Sequence, residues 1–132
     1  MLRNLSILTL LTLPFIACVN NVEAQEEITE SISYSTSIQT VFNQSCGGSA
    51  CHTNGGKANG ISLASYNAAI SSMGTSYSGK TIIPGNAGSS PLIEKIRPNP
   101  TKGSQMPLTG SKLDAKQVAI IEAWINQGAL NN

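Results

Sequence analysis

One short run constrains this chain more than any other: Cys46-Gly47-Gly48-Ser49-Ala50-Cys51-His52. His52 is the single histidine among 132 residues, and it directly follows a cysteine. Two thiols and an imidazole held this close are able to take haem covalently. The thiols add to the two vinyl groups, and the imidazole takes one axial position on iron. The common spacing is Cys-x-x-Cys-His, whereas four residues lie between the cysteines here. The backbone must then bulge outward between the anchors. Gly47 and Gly48 suit that, since glycine enters left-handed conformations at little steric cost. Two other chemistries use the same residues. A Cys46–Cys51 disulfide suits an oxidising compartment but gives His52 no role. A structural zinc site wants four ligands, and Cys46, Cys51 and His52 supply three.

The N-terminus reads as an address. Arg3 supplies a positive start, and residues 5–17 form an apolar stretch too short to span a bilayer. Two endings compete. Val22-Glu23-Ala24 before Gln25 has the small-residue pattern of a cleavage site, which gives a signal peptide over 1–24. Phe15-Ile16-Ala17-Cys18 resembles a bacterial lipobox, in which Cys18 becomes the lipidated first residue. Either ending predicts export to the periplasm or outer cell envelope, lipid-anchored in the second case. Membrane contact is then expected only through Cys18.

Charge is uneven. Glu23, Glu26, Glu27 and Glu30 crowd a polar stretch without apolar periodicity, so residues 18–34 read as an acidic flexible tether and 35–132 as the folded domain. Beyond Tyr34, seven basic residues face three acidic ones, a balance of +4. That is too weak for a nucleic-acid binder, and no basic stripe with interleaved aromatics occurs. It is enough to offset two haem propionates and to steer an acidic redox partner of the cell envelope. Charged residues make up 11% of the chain and aromatics 5%, so its own core is thin. About 100 residues bury only roughly 60–65% of their unfolded surface, and a large apolar cofactor would make up the deficit.

Helical periodicity organises the domain. Ile38, Val41 and Phe42 fall on one face of a helix over 35–44, which delivers Cys46 to the cofactor edge. Tyr66, Ala69 and Ile70 mark a short helix within 63–73, with Met73 as core. Pro91 suits a helical first turn, continued by Leu92, Ile93 and Ile96 to Arg97 and stopped by Pro98 and Pro100. The last helix is the best signalled. Asp114 with Gln117 forms a capping box, and Leu113 with Val118 the matching staple. Val118, Ile121, Trp124 and Ile125 make its buried stripe, and Gly128 ends it. No repeat and no convincing strand alternation is visible.

Met106, in the loop Gln105-Met106-Pro107-Leu108, is the expected sixth ligand. A soft thioether opposite His52 raises the potential relative to two histidines. The bland alternative is a gap-filling core methionine. The free ring N–H of His52 is expected to reach a backbone carbonyl. Ile61, Leu63, Ile82, Ile83, Leu92, Ile96 and Leu108 are candidate walls, and Arg97, Lys95 and Lys80 candidate propionate partners.

Residues 37–129 resemble class I c-type cytochromes, the small single-haem domains of planctomycete-type and other bacterial envelope proteins. The resemblance rests on Cys51-His52, Gly55-Gly56 and Gly60-Ile61-Ser62-Leu63. It continues through Ile83-Pro84-Gly85-Asn86 with Ser90 and Leu92, then Met106-Pro107, and closes on Trp124-Ile125. It implies an all-α domain wrapped around one covalent haem c held by Cys46, Cys51, His52 and Met106. The terminal helices would cross near one haem edge, with Phe42 meeting Trp124 or Ile121. The chain departs from the family at the four-residue cysteine gap and at Leu108, where a second proline is common. The expected role is that of an electron carrier, not an enzyme. A haem enzyme or ligand sensor would need a labile sixth position and a distal acid–base group. A cofactor-free domain stapled by a disulfide is the remaining alternative.

Overall fold

Four short α-helices and one minimal hairpin carry the described residues, 28–132 of a computed structural model. The expected leader, the Cys18 lipidation site and most of the acidic stretch lie outside them. The chain starts with a wide π-type turn, Tyr34–Ile38, capped by the Ser33 hydroxyl, which accepts the Thr36 N–H at 3.4 Å. It runs directly into α1, Gln39–Ser45. A single 3-10 turn, Ala58–Gly60, precedes α2, Tyr66–Ser71. Strands β1, Met73–Gly74, and β2, Gly79–Lys80, pair antiparallel with Met73 opposite Lys80. Then come α3, Pro91–Ile96, and α4, Ala115–Asn126. The all-α expectation thus meets a set of short helices plus a two-residue ladder that no sequence alternation signalled. Among the described residues, no helix is long and apolar enough to cross a membrane.

The helices form for the reasons their sequences carry. In α4 the Asp114 carboxylate accepts the Gln117 N–H at 2.7 Å, and the Gln117 carbonyl oxygen accepts the Asp114 N–H at 3.0 Å. Two donors at the helix start are satisfied reciprocally. Leu113, Ile121, Trp124 and Ile125 are buried and Val118 half-buried. Pro91 opens α3, where its missing N–H has no helical partner to lose.

Tyr34 corrects two expectations. It stands in the stretch read as tether, yet it is 3% exposed. It is the hub of an aromatic cluster: its ring lies 6.5 Å from Phe42, 5.1 Å from Tyr66 and 5.4 Å from Trp124. Hydrogen bonding to the C-terminal residues also begins before Ser35. The Gln127 side chain donates to the Glu30 carbonyl at 2.8 Å and accepts the Ile32 N–H at 2.9 Å. Asn132 accepts the Tyr34 N–H on its side chain and the Ser35 N–H on its carbonyl. A lone aromatic in a polar run carries no period, so its docking was not legible. Met73 is a third correction: it is 58% exposed, because β1 turns it outward instead of continuing a helix.

Candidate functional site

Cys46 caps the C-terminus of α1, its N–H donating to the Phe42 carbonyl at 2.9 Å. The chain then loops out and returns. The Cys51 N–H donates to the Gly48 carbonyl at 3.0 Å, and the His52 N–H donates to the Cys46 carbonyl at 3.2 Å. That second bond closes the bulge and fixes His52 beside the cysteine six positions before it. The two glycines serve it differently. Gly48 takes φ 124°, a region that L side chains rarely adopt. Gly47 supplies room instead, since a Cβ there would lie 2.5 Å from the Asn43 carbonyl oxygen. Cys46 and Cys51 carry free thiols. Burial, and then the neighbouring Cys51, push the Cys46 thiol up to about 11.

His52 is oriented by the next segment. Its Nδ1 lies 3.1 Å from the Ile61 carbonyl oxygen. A carbonyl only accepts, so Nδ1 carries the proton and Nε2 of the neutral ring keeps its lone pair. The expected second-sphere carbonyl is therefore that of Ile61. The His52 carbonyl in turn accepts the Leu63 N–H at 2.6 Å, tying both flanks of the ring to one strand-like segment.

Met106 comes from the loop between α3 and α4. Its N–H donates to the Lys95 carbonyl at 2.8 Å, and the Gln105 side chain donates to the Ile96 carbonyl at 2.9 Å. Lys112 Nζ donates to the Gln105 and Pro107 carbonyls. Bonds on both sides of the methionine hold the loop against α3.

Cys46, His52 and Met106 line one cavity. Ile61, Leu63, Leu92 and Ile96 give it an apolar wall, as expected. Cys51 is not on that wall. Neither are three other residues expected there. Ile82 is 1% exposed but belongs to the core, while Ile83 (37% exposed) and Leu108 (65%) face solvent. Of the basic candidates only Lys95 reaches the cavity. Arg97 is held by Glu122 at 2.7 Å, and Lys80 donates to the Ile70 carbonyl at 3.2 Å.

Sequence reasoning missed the polar part of the lining: Asn59, Ser76, Tyr77 and Thr81. The one available signal was Tyr77, an isolated aromatic in a Gly/Ser-rich run. Burial, then the nearby Glu94 carboxylate, raise the Tyr77 phenol above its ordinary value. Glu94 is held below the usual carboxylate range, first by the Thr101 hydroxyl. Three side-chain oxygens are buried without a hydrogen-bond partner among the described residues: Thr53 Oγ1, Tyr77 Oη and Thr81 Oγ1. The Glu94 carboxylate lies close enough to Tyr77 to raise its phenol. Among the described residues, no group of three or more His, Cys, Asp or Glu is gathered to hold a metal ion. The cavity lining includes no carboxylate, so its candidate ligands to a metal are one imidazole nitrogen, one thioether and the Cys46 thiol, set in a largely apolar wall with a polar edge at Asn59, Ser76, Tyr77, Thr81 and Lys95.

No family model and no curated protein matches this sequence. A solved structure of hydrazine synthase from Kuenenia stuttgartiensis is similar over 74% of this chain, at 21% identity and a TM-score of 0.46. The chain spans 16% of that structure's length. The likeness is too distant to carry that protein's activity across.

Proposed function

We propose that this chain is an exported single-haem electron carrier of the c type. The reading rests on one observation: Cys46 and His52, from one short run, and Met106, more than fifty residues further on, line the same cavity. The donor set fits the group. A neutral imidazole with Nε2 bare and a soft thioether are the pair that haem iron takes in low-spin carriers. The lining carries no carboxylate, and in this reading its one imidazole is taken up by iron, which fits electron transfer better than catalysis on a substrate. When bound, haem supplies a one-electron Fe(II)/Fe(III) couple. The chain's own residues do the rest. Cys46 and Cys51 are the attachment thiols, and the bulge between them carries the two residues beyond the usual spacing. Ile61 holds the His52 proton on Nδ1 through its carbonyl. Ile61, Leu63, Leu92 and Ile96 exclude water, which favours the less charged, reduced state. Export to the periplasm or outer envelope, a lipid at Cys18 and redox partner proteins belong to the same proposal.

Expression in a host with haem-attachment enzymes tests it. The expected product is coloured, with a Soret band and an intact mass that includes one haem. Colourless protein with two alkylatable thiols from that host defeats the reading. Met106→Ala should abolish a thioether-to-iron band in the oxidised spectrum, and an unchanged spectrum removes Met106 from the ligand set.

A further inference from the structure

The hairpin brings two hydroxyls to the cavity. Tyr77 sits in the turn between β1 and β2, and Thr81 directly follows β2. Both line the cavity, and Tyr77 Oη and Thr81 Oγ1 are buried with no hydrogen-bond partner. A buried hydroxyl left unpaired forfeits its bonds to water and gains nothing in return, so two in one cavity call for a reason. The backbone of Thr81 is already committed. Its N–H donates to the Ser72 carbonyl at 3.2 Å, and its carbonyl accepts the Leu92 N–H at 3.0 Å. Only its hydroxyl remains free.

The surroundings say what the hydroxyls would meet. Lys95 lines the cavity and donates to the Lys102 and Ser104 carbonyls. Lys102 lies 5.1 Å over the Tyr77 ring and donates to the Ser76 carbonyl at 3.0 Å. Neither cation has a carboxylate bonded to it; the ion pair among the described residues is Arg97–Glu122. Glu94, the one acid nearby, is occupied by the Thr101 N–H and hydroxyl through the same oxygen. Glu94 also lies near enough to Tyr77 and Lys102 to be held down by both, but it forms no ion pair with either lysine. Two hydroxyls with donors to spare beside two cations outside any ion pair fit a group that only accepts and carries negative charge.

We propose that Tyr77 and Thr81 receive a carboxylate arm of the cavity's occupant, with Lys95 and Lys102 offsetting its charge. This rests on the haem reading above, under which the arm is a porphyrin propionate. It replaces Arg97 and Lys80, both engaged elsewhere, as the propionate partners. A carboxylate presents two acceptor oxygens, one for each hydroxyl, and hydrogen bonds to a charged acceptor are the stronger kind.

The test uses metal-free protoporphyrin IX and its dimethyl ester, so that iron ligation by His52 and Met106 contributes nothing. Full-length chain made without attachment enzymes is titrated with each probe, read by quenching of Trp124, the only tryptophan. Wild type should bind the acid at least about tenfold more tightly than the ester. Tyr77→Phe and Thr81→Val, made singly and together, keep shape and remove the donors. The pair should weaken the acid at least about tenfold and leave the ester within about twofold, while Thr81→Ser stays near wild type. Thermal melts of each variant confirm folding. An equal loss for acid and ester, or no loss, overturns the carboxylate assignment and leaves the haem reading standing. A wild-type chain that binds neither probe overturns the carboxylate assignment, while the haem reading stands or falls with the expression experiment above.

Discussion

The aromatic cluster around Tyr34 and Trp124 and the cavity behind Cys46 are built to opposite standards. In the cluster every polar handle is used. Tyr34 Oη donates to Gln39, Tyr66 Oη to the Ala129 carbonyl and Trp124 Nε1 to the Leu130 carbonyl. Phe42, Trp124 and Ile125 are fully buried. On the cavity side, Tyr77 and Thr81 keep unpaired hydroxyls, and Thr53, the third such residue, directly follows His52. The chain completes one region with its own atoms and leaves buried hydroxyls unpaired in the other. Under the proposed haem reading, stability and function fall to different parts of a small domain.

Truncation measures the contrast most sharply. Trp124→Ala should cost about 3–5 kcal/mol in chemical denaturation, because a fully buried indole leaves a cavity. Ile61→Ala, on the half-buried cavity wall, should cost about 1 kcal/mol. Equal costs would erase the distinction between the regions. Next come the glycines. Gly47→Ala drives a Cβ into the Asn43 carbonyl and should cost about 1–3 kcal/mol. Gly55→Ala has open space but φ 85° and should cost about 1 kcal/mol. The reverse order would mean that the bulge relaxes freely. Asp114→Ala should remove about 1 kcal/mol through the lost cap of α4 while leaving porphyrin affinity unchanged.

The smallest effect concerns alkaline pH in the protein without haem. The Cys46 thiol, ordinarily near 9.0, is pushed up to about 11, and the Tyr34 phenol, ordinarily near 10.0, to about 12, in both cases chiefly by burial. The folded chain then keeps protons that the unfolded chain releases. Their contribution is complete below pH 9 and is lost as pH rises through about 11 and about 12. A melting temperature flat from pH 7 to 9 and falling beyond is expected; a rise beyond pH 9 contradicts it. Alkylation of Cys46 at pH 8 should run roughly a hundredfold slower than for an unperturbed thiol.

What the sequence made legible follows from how local each signal is. The cap and buried stripe of α4 depend on residues three and four apart, and both were readable from Asp114, Gln117 and Trp124. The grouping of Cys46, Cys51 and His52 is local too. Met106 was readable as a candidate because it lies in the loop between the two C-terminal helices, where Pro107 holds it extended and removes one amide donor. Tyr77 and Thr81 were not readable, since their role arises only when a two-residue ladder folds back toward α3. Met73 failed for a related reason: its helical spacing from Tyr66 and Ala69 is real, but α2 stops at Ser71. Tyr34 failed because docking to a partner about ninety residues away leaves no local pattern.

The pairing of Glu30, Ile32, Tyr34 and Ser35 with Gln127 and Asn132 has a mechanical consequence. A pull applied across residues 30 and 132 loads that latch first, and none of its members lines the cavity. Tension on the ends would therefore open the seam while Ile61, His52 and Met106 kept their places.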